Sequence, residues 1–325
     1  MNISKTLLAM TCACAAGISE ASTGNFYFNT DADNVELWDA MAQDSAYGSF
    51  VGHQPYEIWC DQILVYNNNS KNVNLVLTKP YTENYPLYTG AGVNFGISNL
   101  KLTLDGSDAY MSLNSLFVRN SATLTLQNGA QVALNGNFDG NKTDFQNSTV
   151  VVKGESSFAQ NGNSTYIGGA SDTSVFTFRM EGENSVKFRN LRFTGAEGTS
   201  AANPMGGKLE FIADESGITT IQHESTVLDF SGVVLVDFSN LIWDESWGGE
   251  CKFTLVSATN NSATAFEYFC NNQETLADVV GVGDWLFTYD NNNLYINISQ
   301  VPEPATCAAI FGALALALAA YRRRK

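Results

Sequence analysis

Charge is scarce in this chain. Only 15% of its 325 residues are Asp, Glu, Lys or Arg, while 44% are apolar. So high an apolar share excludes a disordered chain, which cannot bury enough surface to fold. Basic residues are scarcest, 17 against 33 acidic, for a net charge of −16. Five of the 17 lie at the two ends: Lys5, Arg322, Arg323, Arg324 and Lys325. Between Ser22 and Val301, 12 basic residues therefore face 31 acidic ones. A surface of that sign repels nucleic acid and anionic lipid, so no nucleic-acid partner is expected.

Histidine is almost absent, with only His53 and His223. No HExxH, Gly-x-Ser-x-Gly or phosphate-loop pattern occurs, so no catalytic residue is assigned and the chain is not expected to be an enzyme. Asp31-Ala-Asp33-Asn34-Val-Glu36 gathers oxygen ligands but lacks the glycine and closing glutamate spacing of a calcium loop. No cofactor or metal is expected. Lys187, Arg189 and Arg192 lie in one β-prone run and read as a solvated strand face.

Cysteine is limited too. Cys12, Cys14 and Cys307 fall in the terminal segments, leaving Cys60, Cys251 and Cys270 in the body. Three allow at most one internal disulfide, and the neighbours in sequence, Cys251 and Cys270, are the expected pair. No Cys/His cluster spaced for zinc occurs. Long helical stripes are also missing. Before the tail only Asp33–Gln43 reads as a short helix, with Asp33 or Asn34 as its N-cap.

The ends are explicit. Lys5, an apolar stretch from Thr6 to Ala16, and Ser19-Glu20-Ala21 make residues 1–21 a signal peptide. Small residues at −3 and −1 place the signal peptidase cut between Ala21 and Ser22. The chain closes with Val301-Pro302-Glu303-Pro304, a 17-residue apolar run from Ala305 to Tyr321, and Arg322-Arg323-Arg324-Lys325. At 1.5 Å per residue the run reaches about 25 Å, the short end for a transmembrane helix. The basic cluster would stop on the cytoplasmic side. Two prolines around Glu303 hold the preceding segment extended, as a processing cleft requires.

Motif, span and basic cluster, in that order over residues 300–325, resemble the PEP-CTERM sorting signal of Gram-negative-type bacteria. The resemblance implies recognition by an exosortase, a transit stage anchored in the inner membrane, and removal of the tail. It also implies a final place at the cell surface or in the matrix of bacteria that make exopolysaccharide.

The body, residues 96–299, is a series of short β-prone runs broken by Gly, Asn, Asp and Ser. Thr123-Leu-Thr-Leu126 and Val175-Phe-Thr-Phe178 alternate with period two. Breaks recur at Asp105-Gly106, Asn128-Gly129, Asn135-Gly136, Asn161-Gly162 and Glu181-Gly182. The fold class is thus all-β, and two architectures fit. Asn-Gly pairs favour hairpins and an antiparallel sandwich. The loose repeat from Ala122 to Gly136 favours a solenoid, a single-stranded parallel β-helix. That phrase resembles autotransporter-like passenger repeats, and Leu286–Ile298, two runs about an Asn-rich turn, resembles the end of such passengers. The β-helix is the expected fold.

Residues 22–95 are rich in aromatics, among them Phe26, Tyr27, Phe28, Trp38, Trp59 and Tyr66. They are read as a cap on the first coil, with a sugar-stacking platform as the alternative. Trp243 and Trp247 are read as flanking a loop. The function expected is structural or adhesive, at an exopolysaccharide layer. The alternative is a carbohydrate-active enzyme or binding module on the same scaffold.

Overall fold

A computed structural model describes residues 22–28, 33–40, 46–52, 60–67, 73–78, 94–140, 147–162, 164–168, 174–244 and 250–299. Residues 1–21 and 300–325 lie outside these. So do the expected cleavage residue Ala21, the motif Val301, Pro302, Glu303 and Pro304, the transmembrane helix, and Arg322, Arg323, Arg324 and Lys325. Among the described residues no helix is long and apolar enough to cross a membrane.

The chain is mostly β. Its first strands are β1 (Ser22–Phe28), β2 (Val35–Glu36), β3 (Gly48–Gly52), β4 (Cys60–Tyr66) and β5 (Asn74–Leu77), with a single-turn α1 (Leu37–Ala40) after β2. The expected helix over Asp33–Gln43 is therefore reduced to Leu37–Ala40 among the described residues. Neither expected cap leads into it: Asn34 has φ of 54°, and Asp33 Oδ1 accepts from Asn74 Nδ2 at 3.1 Å.

Triplets follow: β6 (Asn94–Ser98), β7 (Lys101–Asp105), β8 (Tyr110–Leu113); β9 (Ser115–Arg119), β10 (Thr123–Gln127), β11 (Gln131–Leu134); β12 (Phe138–Gly140), β13 (Thr149–Lys153), β14 (Ser157–Gln160). The next are β15 (Thr165–Ile167), β16 (Val175–Glu181), β17 (Ser185–Phe188); β18 (Leu191–Phe193), β19 (Gly206–Ile212), β20 (Ile221–His223); β21 (Leu228–Phe230), β22 (Val233–Asp237), β23 (Glu250–Ala258). Then come α2 (Ala263–Asn271), α3 (Gln273–Leu276), β24 (Ala277–Val280), β25 (Trp285–Tyr289) and β26 (Asn293–Ser299).

Each member of a triplet joins a different sheet. The first sheet runs β3-β1-β4-β6-β9-β12-β15-β18-β21 and the second β2-β5-β7-β10-β13-β16-β19-β22-β24. The third runs β8-β11-β14-β17-β20-β23-β26-β25. From β4 to β24 the ladders are parallel, each strand pairing with its counterpart one circuit away. The antiparallel sandwich is therefore not what these residues build. Among the described strands antiparallel pairing is confined to β1 with β3 and to β23, β26 and β25, apart from isolated bridges such as Gly195 with Gly206. The last two strands form the hairpin expected over Leu286–Ile298.

The Asn-Gly steps, which on their own favour hairpins, serve a different end here with the same backbone. Asn128 and Gly129 do adopt positive φ, 58° and 85°, which asparagine and glycine tolerate best. But Gly129 N donates to Gly154 O at 2.8 Å, and Asn128 Nδ2 to Asp105 Oδ1 at 2.7 Å. The step turns a corner between sheets and bonds to the circuits on either side. Asn99 and Asn120 sit at the preceding corner with φ near 55° and 50°, Asn99 Nδ2 donating to Asn67 O at 2.7 Å and Asn120 Nδ2 to Ser98 Oγ at 2.8 Å. The β-prone run that holds Lys187, Arg189 and Arg192 is two strands with a corner between Phe188 and Leu191.

Alternation puts every second side chain inside. On the second sheet one register column reads Leu75, Leu102, Leu124, Val150, Phe178, Leu209, Val234 and Ala277. All are buried. Burying each large aliphatic or aromatic member contributes about 1.5–3 kcal/mol. Phe138, Phe158, Phe178 and Phe188 interlock edge-on at centroid distances of 5.1–5.4 Å. At one end α2 buries Phe266 and Phe269 against Phe230, and Phe269 meets Phe287 at 5.1 Å. At the other, β3 runs along β1 and α1 buries Leu37 and Ala40. Within residues 22–95, β1 and β4 pair in parallel into the first sheet and β2 and β5 into the second.

Candidate functional site

The expected disulfide is not formed: Cys251 and Cys270 are free thiols. From Cys251 the strand advances about 23 Å to Ala258, at roughly 3.3 Å per residue. From Ala263 to Cys270 the helix covers only about 10 Å. Cys270 follows Cys251 by nineteen residues of strand, turn and helix. Burial raises the pKa of both, that of Cys270 to about 11.

His53 and Asp31 lie outside the described residues. His223 points inward and is fully buried. Glu36 Oε2 accepts from Thr78 N and Oγ1, at 3.2 and 2.9 Å. Among the described residues no three His, Cys, Asp or Glu side chains are grouped to hold a metal. Lys187 and Arg192 prove to lie on different sheets, because the chain turns between them. Lys187 pairs with Glu224 at 2.8 Å.

Polar residues gather at several places among the described residues. On the second sheet Glu210 is almost fully covered, taking Arg179 on Oε2 and Lys208 on Oε1. Burial raises its pKa, but those bonds outweigh it and hold the carboxyl below its usual range. A hollow of about 470 Å³ is lined by Glu183, Asp214, Glu215 and Asp244 beside Leu241, Ile242 and Phe253. A second, of about 480 Å³, lies between Glu250, Cys251, Lys252, Asp284 and Trp285. Beside it, Lys252 Nζ sits 3.5 Å from the centroid of Tyr295.

The outward face of the first sheet is different in kind. Tyr27 and Tyr66, paired in register, stack at 5.2 Å with 12° between planes. The register continues from Tyr66 through Ser98 to Arg119. Arg119 lays its guanidinium 4.6 Å from the ring centroid of Phe117, two residues back on the same face. In the neighbouring column Leu64 lies over Gly96, where a Cβ would come 2.5 Å from Leu64 Cδ2, and Phe117 follows in register. Two circuits on, Tyr166 is covered by Arg192 at 5.3 Å. Burial, then Tyr27, raises the Tyr66 hydroxyl pKa, while Arg119 lowers it. Each guanidinium fixes a ring by cation–π contact, worth about 0.5–1 kcal/mol at an exposed site.

Sequence reading singled out Tyr27 and Tyr66 but missed Phe117, Arg119 and Tyr166. For Phe117 the available signal was an outward aromatic on a short strand with arginine two residues on; for Tyr166, whose arginine comes from the next strand of the sheet, there was none. Comparison with known proteins finds no matching family model, curated protein or solved structure.

Proposed function

We propose that this chain is an exported surface or matrix protein, sorted by an exosortase through its Pro-Glu-Pro tail. Its body is a β-solenoid of the parallel β-helix kind, with a structural or adhesive role in an exopolysaccharide layer and no catalytic one. The observation that supports this reading is the register: equivalent positions return circuit after circuit, as in the unbroken column from Leu75 to Ala277. Such a stack grows in one direction and presents three broad faces, as a scaffold in a matrix needs. The tail supplies the address. Intact mass and C-terminal peptide mapping of the protein from its host test the sorting step. The expected product starts at Ser22 and lacks Arg322–Lys325, and a mature surface form that keeps those residues overturns it.

The acidic hollow around Glu183 and Asp214 favours a second reading, a carbohydrate-active enzyme on the same scaffold. Release of reducing or unsaturated ends from a polysaccharide panel would establish it in place of the first.

A further inference from the structure

The rings on the first sheet form a strip that local sequence does not reveal. Tyr27, Tyr66, Phe117 and Tyr166 come from four circuits, and Arg119 and Arg192 lie over two of those rings. The ladder alone brings them to one face. Neighbouring strands are spaced about 4.8 Å, so Phe117 and Tyr166, two circuits apart, stand about 10 Å from each other. That is the order of length of a disaccharide in an extended chain.

Ring faces attract apolar C–H surfaces, and guanidinium forks donate in pairs to neighbouring hydroxyl oxygens. At the border of the face Asn114 Nδ2 donates to Asn94 Oδ1 at 2.9 Å, adding amides that can do the same. Charge then selects among sugars. The body carries 31 acidic against 12 basic residues, so a polyanion is repelled over the whole molecule. On this face Arg192 stands in register with Asp229, so its charge has an acidic neighbour.

We propose that the outward face of the first sheet binds a neutral, extended polysaccharide lying along the stacking axis, across the strands. Rings at Tyr66, Phe117 and Tyr166, each two strands from the next, stack on every second sugar, and Arg119 and Arg192 bond their hydroxyls. This rests on the reading of the chain as an exopolysaccharide-layer protein and names its ligand class.

The test is affinity electrophoresis of the full-length protein through gels holding hydroxyethyl cellulose, xyloglucan or alginate. Retardation is expected in at least one neutral gel and not in alginate. Phe117→Ala with Tyr166→Ala should weaken it at least tenfold, at unchanged circular dichroism. Tyr166→Phe should retain it, and so should Thr125→Ala on the second sheet. Arg192→Gln, at an exposed position, gives a second reading should the double variant fold poorly, with a loss of about three- to tenfold expected. No retardation in any neutral gel, retardation in alginate alone, or binding indifferent to both the ring and Arg192 variants overturns the proposal. Sorting is read separately by mass, so a retained tail with intact binding would sink only the sorting reading, and a processed tail without binding only this one.

Discussion

His223 Nε2 lies 3.0 Å from the carbonyl oxygen of Val227, while its ring fills an inward place in register between Phe188 and Ala258. A carbonyl only accepts, so Nε2 carries the proton and Nδ1 is left as a buried lone pair without a partner. Burial lowers the pKa of the ring, against the opposing pull of the Val227 carbonyl and Glu224. Lys187 and Arg189 are the nearby cations along the chain, and Lys187 is held by Glu224.

The sign follows from proton binding. Below about pH 6.5 the unfolded chain takes up a proton that the folded ring resists, so stability falls as pH drops. His223→Leu removes the titrating group and leaves the Val227 carbonyl its other donor, Leu191 N at 3.1 Å. The melting temperature of the native protein should fall between pH 7.5 and pH 5.5, and the variant should lose most of that fall. Equal pH dependence in both would place the effect elsewhere.

Phe158 touches Phe138 at 5.1 Å, Phe178 at 5.2 Å and Phe188 at 5.9 Å. Its removal opens a cavity bounded by rings from neighbouring circuits. Phe158→Ala should cost about 3–5 kcal/mol in urea unfolding. Thr125→Ala, outward on β10, should stay within about 0.5 kcal/mol.

Two glycines should separate close approach from backbone conformation. A Cβ at Gly162 would lie 1.9 Å from Gly136 O on the neighbouring circuit. Gly106 has open space around it but φ of +94°. Gly106→Ala should therefore cost about 1–2 kcal/mol, the left-handed penalty alone. Gly162→Ala must push two circuits apart and should exceed that, read as a lower denaturation midpoint or loss of soluble protein.

Both Cys251 and Cys270 should take an alkylating label in urea without reductant. In the native state Cys270, its thiol pKa raised to about 11 by burial, should react more slowly than a free thiol in solution. A mass short by two labels would restore the disulfide.

Much of the fold was legible in the chain, because alternation is local. Thr123-Leu-Thr-Leu126 declares which side chains turn inward, whatever its partner. The partner is not local: Thr123 pairs with Lys101 and Thr149, on the circuits before and after. Nothing within a strand names them, so parallel circuits could be favoured over hairpins only through the loose repeat. The site was less legible for the same reason. Phe117 and Tyr166 are ordinary aromatics in sequence and become a strip only when the ladder aligns them. The disulfide was not legible because nearness in sequence does not fix distance in space: Cys251 lies at the start of a nine-residue strand and Cys270 near the end of a helix.

The parallel ladders also decide how the molecule carries load. Backbone hydrogen bonds in them run along the stacking axis, since each circuit bonds to the next. Tension between Ser22, at one end of the stack, and Ser299, at the other, therefore pulls on one circuit's bonds at a time and unzips the stack in steps. Tension applied along a strand must shear a whole row together. A protein held at its two ends would yield gradually and lengthen, a shock absorber, while resisting a pull across its width.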